Sequence, residues 1–234
     1  SMPAMVASYD ALFDELADSK KVRLLHLVSS TGLFGAERVI LNLAGHRGVS
    51  ATVGALHNRH NPHLEIIDEA AKMNFPIVVF ESAGRFELGA VFRIRDFLIK
   101  EKIDLINTHN YKSDLIGLLA AKLTGIPIVA TAHGFTEMSR AVSFYENLDR
   151  WILKYFFNRV IVVTRQLLKD FPTGKRVVVP NGVRMEEKGT NLQRKELRES
   201  LCVKEQDILI ATIGRLSKEK NQILFLEAAR QLAQ

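Results

Sequence analysis

The sequence is almost free of cysteine, with Cys202 as the only one among 234 residues. A single cysteine cannot form an internal disulfide, and it excludes a zinc site built from several thiolates. No apolar run approaches the length of a membrane span, and no signal-peptide pattern is present. We therefore expect a cytoplasmic protein.

Several motifs of phosphate binding and catalysis are also missing. The chain has no Gly-x-Gly-x-x-Gly fingerprint, no P-loop, no nucleophile elbow and no His-Glu-x-x-His. A dinucleotide site and a zinc protease site are therefore not supported, and we expect no bound metal or other cofactor. No basic stripe with interleaved aromatic residues stands out, so we expect no nucleic-acid partner.

What is present is an ordinary globular composition, with 47% hydrophobic and 25% charged residues. The formal net charge of +6 is moderately basic. Such a balance favours anionic partners such as nucleotides, phosphorylated sugars or a membrane surface. It is equally compatible with a solvated surface that carries slightly more lysine.

Short apolar runs alternate with helical patterns along most of the chain, which predicts an α/β fold. The predicted strands are Val22–Ser29, Ala51–Leu56, Phe75–Phe80, Ile103–Thr108, Pro127–Ala132, Arg159–Val163 and Arg176–Val179. Because the runs are continuously apolar, they are typical of strands buried on both faces. Helices between them imply crossover connections. The sequence therefore predicts a Rossmann-like parallel sheet with helices on both faces.

Three segments are expected. Residues 1–20 form an N-terminal extension with a short amphipathic helix over Ser8–Lys20, and residues 21–183 form the Rossmann-like domain. Residues 184–234 hold a linker and one βα unit, with a buried strand predicted at Asp207–Ile213. One such unit cannot cover its own apolar residues. We expect this segment to fold back on the N-terminal sheet or to pair with a second copy in a homodimer.

In open parallel sheets, ligands bind beyond the carboxyl ends of the strands. The first of these ends carries the loop Gly32–Gly35 and then a helix, whose N–H groups attract anions. An ordinary βα turn that needs glycine for its geometry explains the same pattern.

Four histidines follow predicted strands, namely His57, His60, His109 and His133. His109 and His133 end consecutive strands, so they are expected to face one crevice. His133 also precedes Gly134, and this pairing suits a sugar or phosphate contact. A histidine that only caps a loop is the alternative.

Arg215 and Lys220 follow the last predicted strand and Gly214. Two cations at a strand end can neutralise a diphosphate, because arginine offers a bidentate fork and lysine a point charge. The alternative is a solvated helix start, where such residues are common.

Together these motifs resemble the glycosyltransferases of the GT-B fold, in particular the large retaining group called glycosyltransferase group 1 or family 4. The resemblance covers about residues 21–234. It rests on five motifs in order: Gly32-Leu33-Phe34-Gly35-Ala36-Glu37-Arg38, Thr131-Ala132-His133-Gly134, Ile161-Val162-Val163-Thr164, Pro180-Asn181-Gly182-Val183, and Ile213-Gly214-Arg215-Leu216-Ser217-Lys218-Glu219-Lys220-Asn221.

The resemblance implies a metal-independent transfer of sugar from a nucleotide-diphosphate sugar, which is a substrate and not a cofactor, with retention of configuration. It implies that the donor diphosphate lies at Gly32, Gly35, Arg215 and Lys220. It further implies that His133 is the catalytic residue near the transferred sugar.

Strand-end position alone places His109, Asn110, Lys112 and Glu137 on the acceptor side. The acceptor is left open as a glycan, a lipid-linked sugar or a small molecule. Peripheral contact with the cytoplasmic face of a membrane is compatible with the basic charge.

One departure from the family pattern is important. The resemblance places the family's Glu-x7-Glu motif, which binds the donor, in the C-terminal domain beyond Gln234, so we expect the 234-residue chain alone to transfer sugar poorly or not at all. Two alternatives stay open. One is a sugar-nucleotide epimerase of the same architecture, and the other is a binding module or inactive fragment.

Overall fold

The computed structural model describes residues 1–16, 21–29, 32–45, 48–57, 64–82, 87–134, 140–182, 191–214, 216 and 220–232. Within these ranges the chain forms a seven-stranded sheet with strand order 3-2-1-4-5-6-7. Every pair of neighbouring strands is parallel. The predicted α/β fold with a Rossmann-like parallel sheet is therefore confirmed.

The strands are β1 (Val22–Val28), β2 (Val49–His57), β3 (Ile77–Glu81), β4 (Leu105–Thr108), β5 (Ile128–Ala132), β6 (Arg159–Val162) and β7 (Arg176–Val178). The helices are α1 (Met2–Leu16), α2 (Gly35–Ala44), α3 (Glu65–Lys72), α4 (Leu88–Lys100), α5 (Tyr111–Thr124), α6 (Arg140–Phe156), α7 (Asn191–Ser200) and α8 (Gln222–Leu232), with a 3-10 helix at Arg165–Asp170. None of the helices in the described ranges is long and apolar enough to cross a membrane.

Two hydrophobic cores lie on opposite faces of the sheet. Successive residues of a strand point to opposite faces, so Leu24 belongs to the core with α1, α2 and α3, and Leu25 to the core with α4, α5 and α6. Right-handed crossovers explain this division. The chain steps one way along the sheet from β1 to β3 and the other way from β4 to β7, so the two sets of helices fall on opposite faces.

None of the described helices that connect the strands covers one face of β4 to β7. The N-terminal helix α1 packs on this face instead. Its buried residues recur every three or four positions and join Val129 and Ile161 in one core: Met5, Val6, Tyr9, Leu12 and Phe13. At the start of α1, a Cβ added to Gly182 would lie 2.6 Å from Met2 Cα, so only glycine permits this approach.

The sequence placed this helix at Ser8–Lys20, and its start was wrong. The helix begins six residues earlier, at Met2, because Met5 and Val6 share the apolar face that also carries Tyr9 and Phe13. The last predicted turn, at 17–20, lies outside the described residues. The N-terminal helix is thus part of the layer of helices that packs on the sheet.

The chain divides into two compact units, Ser1–Arg184 and Met185–Gln234. In the second unit the predicted buried strand at Asp207–Ile213 is wrong. Residues 208–213 form no strand, and Ile208 and Ile213 are 88% and 98% exposed. A strand needs a neighbouring strand to satisfy its backbone, and no strand in the described residues pairs with this segment. Folding back or dimerisation through this unit stays a prediction.

We predict that Phe13→Ala destabilises the chain by about 3–5 kcal/mol, because it opens a cavity in the core beneath α1. Phe13 is only 2% exposed. Urea unfolding followed by circular dichroism measures the change. The matched control is Phe92→Ala, since Phe92 is 46% exposed on α4. Equal losses from both substitutions would contradict the assigned role of α1.

Candidate functional site

The carboxyl ends of β1, β4 and β5 lie side by side at one edge of the sheet, because these strands are neighbours and parallel. This edge is where open α/β sheets bind ligands. The loop before α2 follows β1, His109 follows β4, and His133 follows β5. The structure therefore brings the sequence-predicted glycine loop and two of the predicted histidines to one edge.

Two carboxylates hold the loop that precedes α2. Glu65 Oε2 accepts a hydrogen bond from Leu33 N at 2.9 Å, and Glu37 Oε2 accepts one from Phe34 N at 2.9 Å. Helix α2 then begins at Gly35, with Phe34 at the N-cap position. The side chain of Phe34 offers no acceptor to the first-turn N–H groups, and Glu37 accepts from the N–H of Phe34 itself. First-turn N–H groups without a side-chain acceptor retain their affinity for anions.

The two predicted glycines of this loop have different surroundings. A Cβ added to Gly35 would meet nothing within 4 Å, so the backbone there opens onto free space. Gly32 is buried, and a Cβ there would lie 2.5 Å from Phe34 Cε2, at the far end of an exposed side chain. Gly35 is therefore the position where a ligand can approach the backbone.

Three histidines form a buried chain that ends at His133. His26 Nδ1 lies 3.0 Å from His109 Nε2, and His109 Nδ1 lies 3.2 Å from His133 Nε2. His26 lies in β1 two residues from both Leu24 and Val28, so it faces the same side of the sheet as they do. Leu24 and Val28 belong to the core under α1 and α2. The histidine chain thus lies on the face of the sheet that also carries α2.

Burial keeps these imidazoles neutral. It lowers the pKa of His26 to about 3 and that of His133 to about 4. Burial, reinforced by its two histidine neighbours, also lowers the pKa of His109 well below its usual value. Each ring therefore carries one proton at neutral pH, and each ring nitrogen is either a donor or an acceptor.

The chain of hydrogen bonds continues away from the edge, to α1. Asn107 Nδ2 lies 3.5 Å from His26 Nδ1, since the two residues are paired in the β1–β4 register. Thr131 Oγ1 donates to Asn107 Oδ1 at 3.0 Å, and Tyr9 OH lies 3.3 Å from Thr131 Oγ1. Six buried or half-buried side chains thus form one polar path from α1 to His133.

A pair of buried carboxyl groups lies between α5 and α6. Asp114 and Asp149 hydrogen-bond to each other, so at least one of the two must be protonated. Burial raises the pKa of Asp114 well above its usual value, and burial raises that of Asp149 to about 7. A cavity of about 110 Å³ adjoins the pair and is also lined by His109, Asn110, Tyr111 and His133.

The residues predicted for the acceptor side have separate positions. Asn110 caps α5, where its Oδ1 accepts from Ser113 N at 3.2 Å and its Nδ2 donates to Ser29 O at 3.0 Å. Lys112 is half-buried in α5. Burial lowers its pKa, and the negative charge of Glu87 offsets part of this change by raising the pKa. Glu137 lies outside the described residues. An acceptor role for this group stays a prediction.

The predicted cation pair belongs to the second unit. Lys220 is exposed, and its side chain lies about 3.8 Å from where a Cβ on Gly214 would be. Arg215 lies outside the described residues, as does the predicted strand-end residue His60. His57 pairs with Glu81 at 3.1 Å on β2 and β3.

Sequence reasoning missed four buried polar residues, although three of them carried a signal. His26 and Asn107 interrupt the apolar runs of β1 and β4, and a polar residue inside a buried strand needs a partner there. Asp149 precedes Ile152 and Leu153 by three and four positions, on the buried face of α6. Asp114, in the first turn of α5, is typical of an exposed dipole partner and gave no such signal.

Known proteins share this architecture. The fold is an α/β Rossmann-like fold of the GT-B type: the solved structure of Anabaena Alr3699/HepE in complex with UDP and glucose superposes with a TM-score of 0.73 at 19% identity. It aligns with 90% of this chain and 58% of that one. The profile of glycosyltransferase family 4 matches residues 35–187, and the chain belongs to this family.

A curated relative agrees with the family. The chain is 24% identical, over 225 residues, to an Escherichia coli enzyme named UDP-Gal:alpha-D-GlcNAc-diphosphoundecaprenol alpha-1,3-galactosyltransferase. The match covers 91% of this chain and 58% of the relative. The chain therefore spans little more than half the length of the proteins it matches.

Epimerases share the fold more distantly. The UDP-GlcNAc 2-epimerase of Neisseria meningitidis, solved with UDP-GlcNAc, superposes with a TM-score of 0.52 at 17% identity. That alignment covers 67% of this chain. The epimerase alternative is thus less well supported than the glycosyltransferase family.

We predict that Asp149→Asn makes the free energy of unfolding less sensitive to pH between about 4 and 7. In this window the folded chain retains a proton that the unfolded chain releases, because the pKa of Asp149 is raised to about 7. Stability from this group therefore falls as pH rises, and the asparagine variant gains on the wild type by a few kcal/mol.

The measurement is urea unfolding at several pH values. The lowered pKa values of the histidines act in the opposite direction, with stability rising with pH, but they contribute equally to both proteins and cancel in the difference. Asp96→Asn is the matched control, because its carboxylate is 64% exposed. A wild-type-minus-variant difference that does not change with pH would contradict the assignment.

Proposed function

We propose that this chain forms the acceptor-side part of a glycosyltransferase that moves a sugar from a nucleotide-diphosphate sugar to an acceptor hydroxyl. The match of residues 35–187 to glycosyltransferase family 4 carries the proposal. The matched segment begins at the start of α2, at Gly35, and includes His109 and His133.

The proposed roles follow from charge. The start of α2 is an electropositive end with open space at Gly35, so it suits the diphosphate. The neutral His133 suits the uncharged sugar. Arg215 and Lys220 would add cations to the departing diphosphate, so that fixed charges and amides stabilise the leaving group without a metal. Retention of anomeric configuration is part of the same proposal, on the family resemblance.

The donor and the acceptor to test first come from the relatives. The HepE structure holds UDP and glucose, and the named substrates of the Escherichia coli enzyme are UDP-galactose and a GlcNAc attached through a diphosphate to undecaprenol. We propose a UDP-sugar as donor and a lipid-linked sugar as acceptor. Contact with a membrane surface is a further part of this proposal, since such an acceptor would be held there.

The test is an assay with a panel of UDP-sugars, with and without a lipid-linked GlcNAc acceptor, in the presence of EDTA. We expect acceptor-dependent release of UDP by the complete protein, if its gene encodes a longer chain, and little or none by these 234 residues alone. NMR of the product reports the anomeric configuration.

Other outcomes identify the alternatives. Epimerised sugar or free UDP without an acceptor would favour an epimerase, and binding without turnover of any donor would favour a binding module. Loss of turnover in EDTA, restored by a divalent cation, would contradict metal independence. An inverted product would contradict retention.

We predict that Gly35→Ala lowers kcat/KM at least about tenfold in the active protein, because a methyl group would occupy the space proposed for the diphosphate. Folding should be unaffected, since a Cβ at Gly35 meets nothing within 4 Å and alanine favours a helix. Gly174→Ala is the control, because a Cβ there also meets nothing within 4 Å. Unchanged kcat/KM in Gly35→Ala would argue against a diphosphate at this loop.

A further inference from the structure

In the polar path from α1 to His133, the donor and the acceptor of each hydrogen bond can be assigned one after the other. We call this order of donation the direction of the path. Thr131 has one hydroxyl hydrogen, and it donates this hydrogen to Asn107 Oδ1. Tyr9 OH must therefore donate to Thr131 Oγ1. Tyr9 is 1% exposed, so this direction also gives its buried hydroxyl hydrogen a partner.

The orientation of the Asn107 amide determines which ring nitrogens of His26 and His109 carry a proton. Since its Oδ1 accepts from Thr131, its Nδ2 faces His26 Nδ1, at 3.5 Å, and that ring nitrogen must carry a lone pair. His109 Nε2, which lies 3.0 Å from His26 Nδ1, must then carry the proton of its ring.

The same reasoning reaches the edge of the sheet. His109 is neutral, so a proton on Nε2 leaves a lone pair on its Nδ1. His133 Nε2 lies 3.2 Å from that nitrogen and must donate to it. His133 is also neutral, so its Nδ1 is left with a lone pair. No described group of the chain hydrogen-bonds to this nitrogen.

We propose that Tyr9, in helix α1, is a positioning residue that fixes His133 in the Nε2-protonated tautomer, so that His133 accepts a hydrogen bond from a ligand hydroxyl. The ligand class is a neutral polyol such as a sugar, and this part rests on the proposed function. A carboxylate or phosphate oxygen has no hydrogen to offer to Nδ1, so this position discriminates against anions.

The opposite direction is less favourable at two points. It would point an N–H of His26 at the Asn107 Nδ2 hydrogens, unless the amide turned over and lost the bond from Thr131. It would also leave one hydroxyl hydrogen, that of Tyr9 or that of Thr131, without a partner among the described residues. The direction given above leaves one buried donor without a partner among the described residues, the N–H on His26 Nε2, whereas the opposite direction leaves two, on His133 Nδ1 and on a hydroxyl. Buried unpaired donors each cost about 1–3 kcal/mol, so the direction that leaves only one is favoured.

Nitrogen NMR of the 15N-labelled chain tests the tautomers without any substrate. Long-range proton–nitrogen spectra distinguish protonated from unprotonated ring nitrogens, and single His→Gln variants assign His26, His109 and His133. We expect all three rings to be protonated at Nε2. Protonation of His133 at Nδ1 in the wild type would overturn the proposal.

Two substitutions then test the role of the path. Asn107→Asp leaves only oxygen atoms facing Thr131 and His26, so we expect all three rings to change to the Nδ1-protonated form. Tyr9→Phe removes only the hydroxyl and allows the Asn107 amide to turn over, so we expect a mixture of both forms. Tyr155→Phe, at an exposed tyrosine of α6, is the control that should change nothing.

Kinetics of the active protein complete the test. Tyr9→Phe should lower kcat in proportion to the fraction of His133 that leaves the Nε2-protonated form, which is about twofold for an equal mixture. The assay temperature stays below the unfolding transition of both proteins. Unchanged tautomers in both variants would overturn the role of Tyr9. Tautomers that respond as expected, in a protein that transfers no sugar, would leave the path established and contradict only the proposed function.

Discussion

The obligation to pair buried polar groups organises the functional edge of this sheet. His26 lies in the middle of the central strand and is fully buried, so its ring must find partners inside the protein. The β1–β4 register supplies Asn107 on one side, and the carboxyl end of β4 supplies His109 on the other. Because His109 then contacts His133, the orientation of an edge residue depends on a polar group in the centre of the sheet.

The parallel topology sets the second constraint. Crossovers in opposite directions from β1 leave half of one face bare, and α1 covers it with five buried side chains. Tyr9 is one of these five, and it packs on Phe13 in an edge-to-face contact with ring centroids 5.6 Å apart. Helix α1 therefore both covers the sheet and supplies the last residue of the polar path, so a change in its packing would affect the histidines at the carboxyl edge of the sheet.

The fold was predictable from the sequence, because the strands of the sheet are largely apolar runs and the pattern of hydrophobic residues reports burial directly. The strand at Asp207–Ile213 has the same composition and was wrong, because periodicity does not show whether a pairing partner exists. The site was predictable only in its outline. Strand-end position located Gly35, His109 and His133, whereas the pairing of Asp114 with Asp149 joins two helices 35 residues apart and has no local pattern.

The electrostatics of this edge separate two kinds of ligand group. The start of α2 offers backbone dipoles to an anion. The histidine chain is held neutral by burial, so it offers no opposite charge to an anion. A molecule that carries a diphosphate at one end and hydroxyl groups at the other is therefore matched in only one orientation. If the ligand is the proposed nucleotide sugar, this edge orients it without a charged side chain at the sugar, because the neutral histidines favour hydroxyl groups over phosphates there.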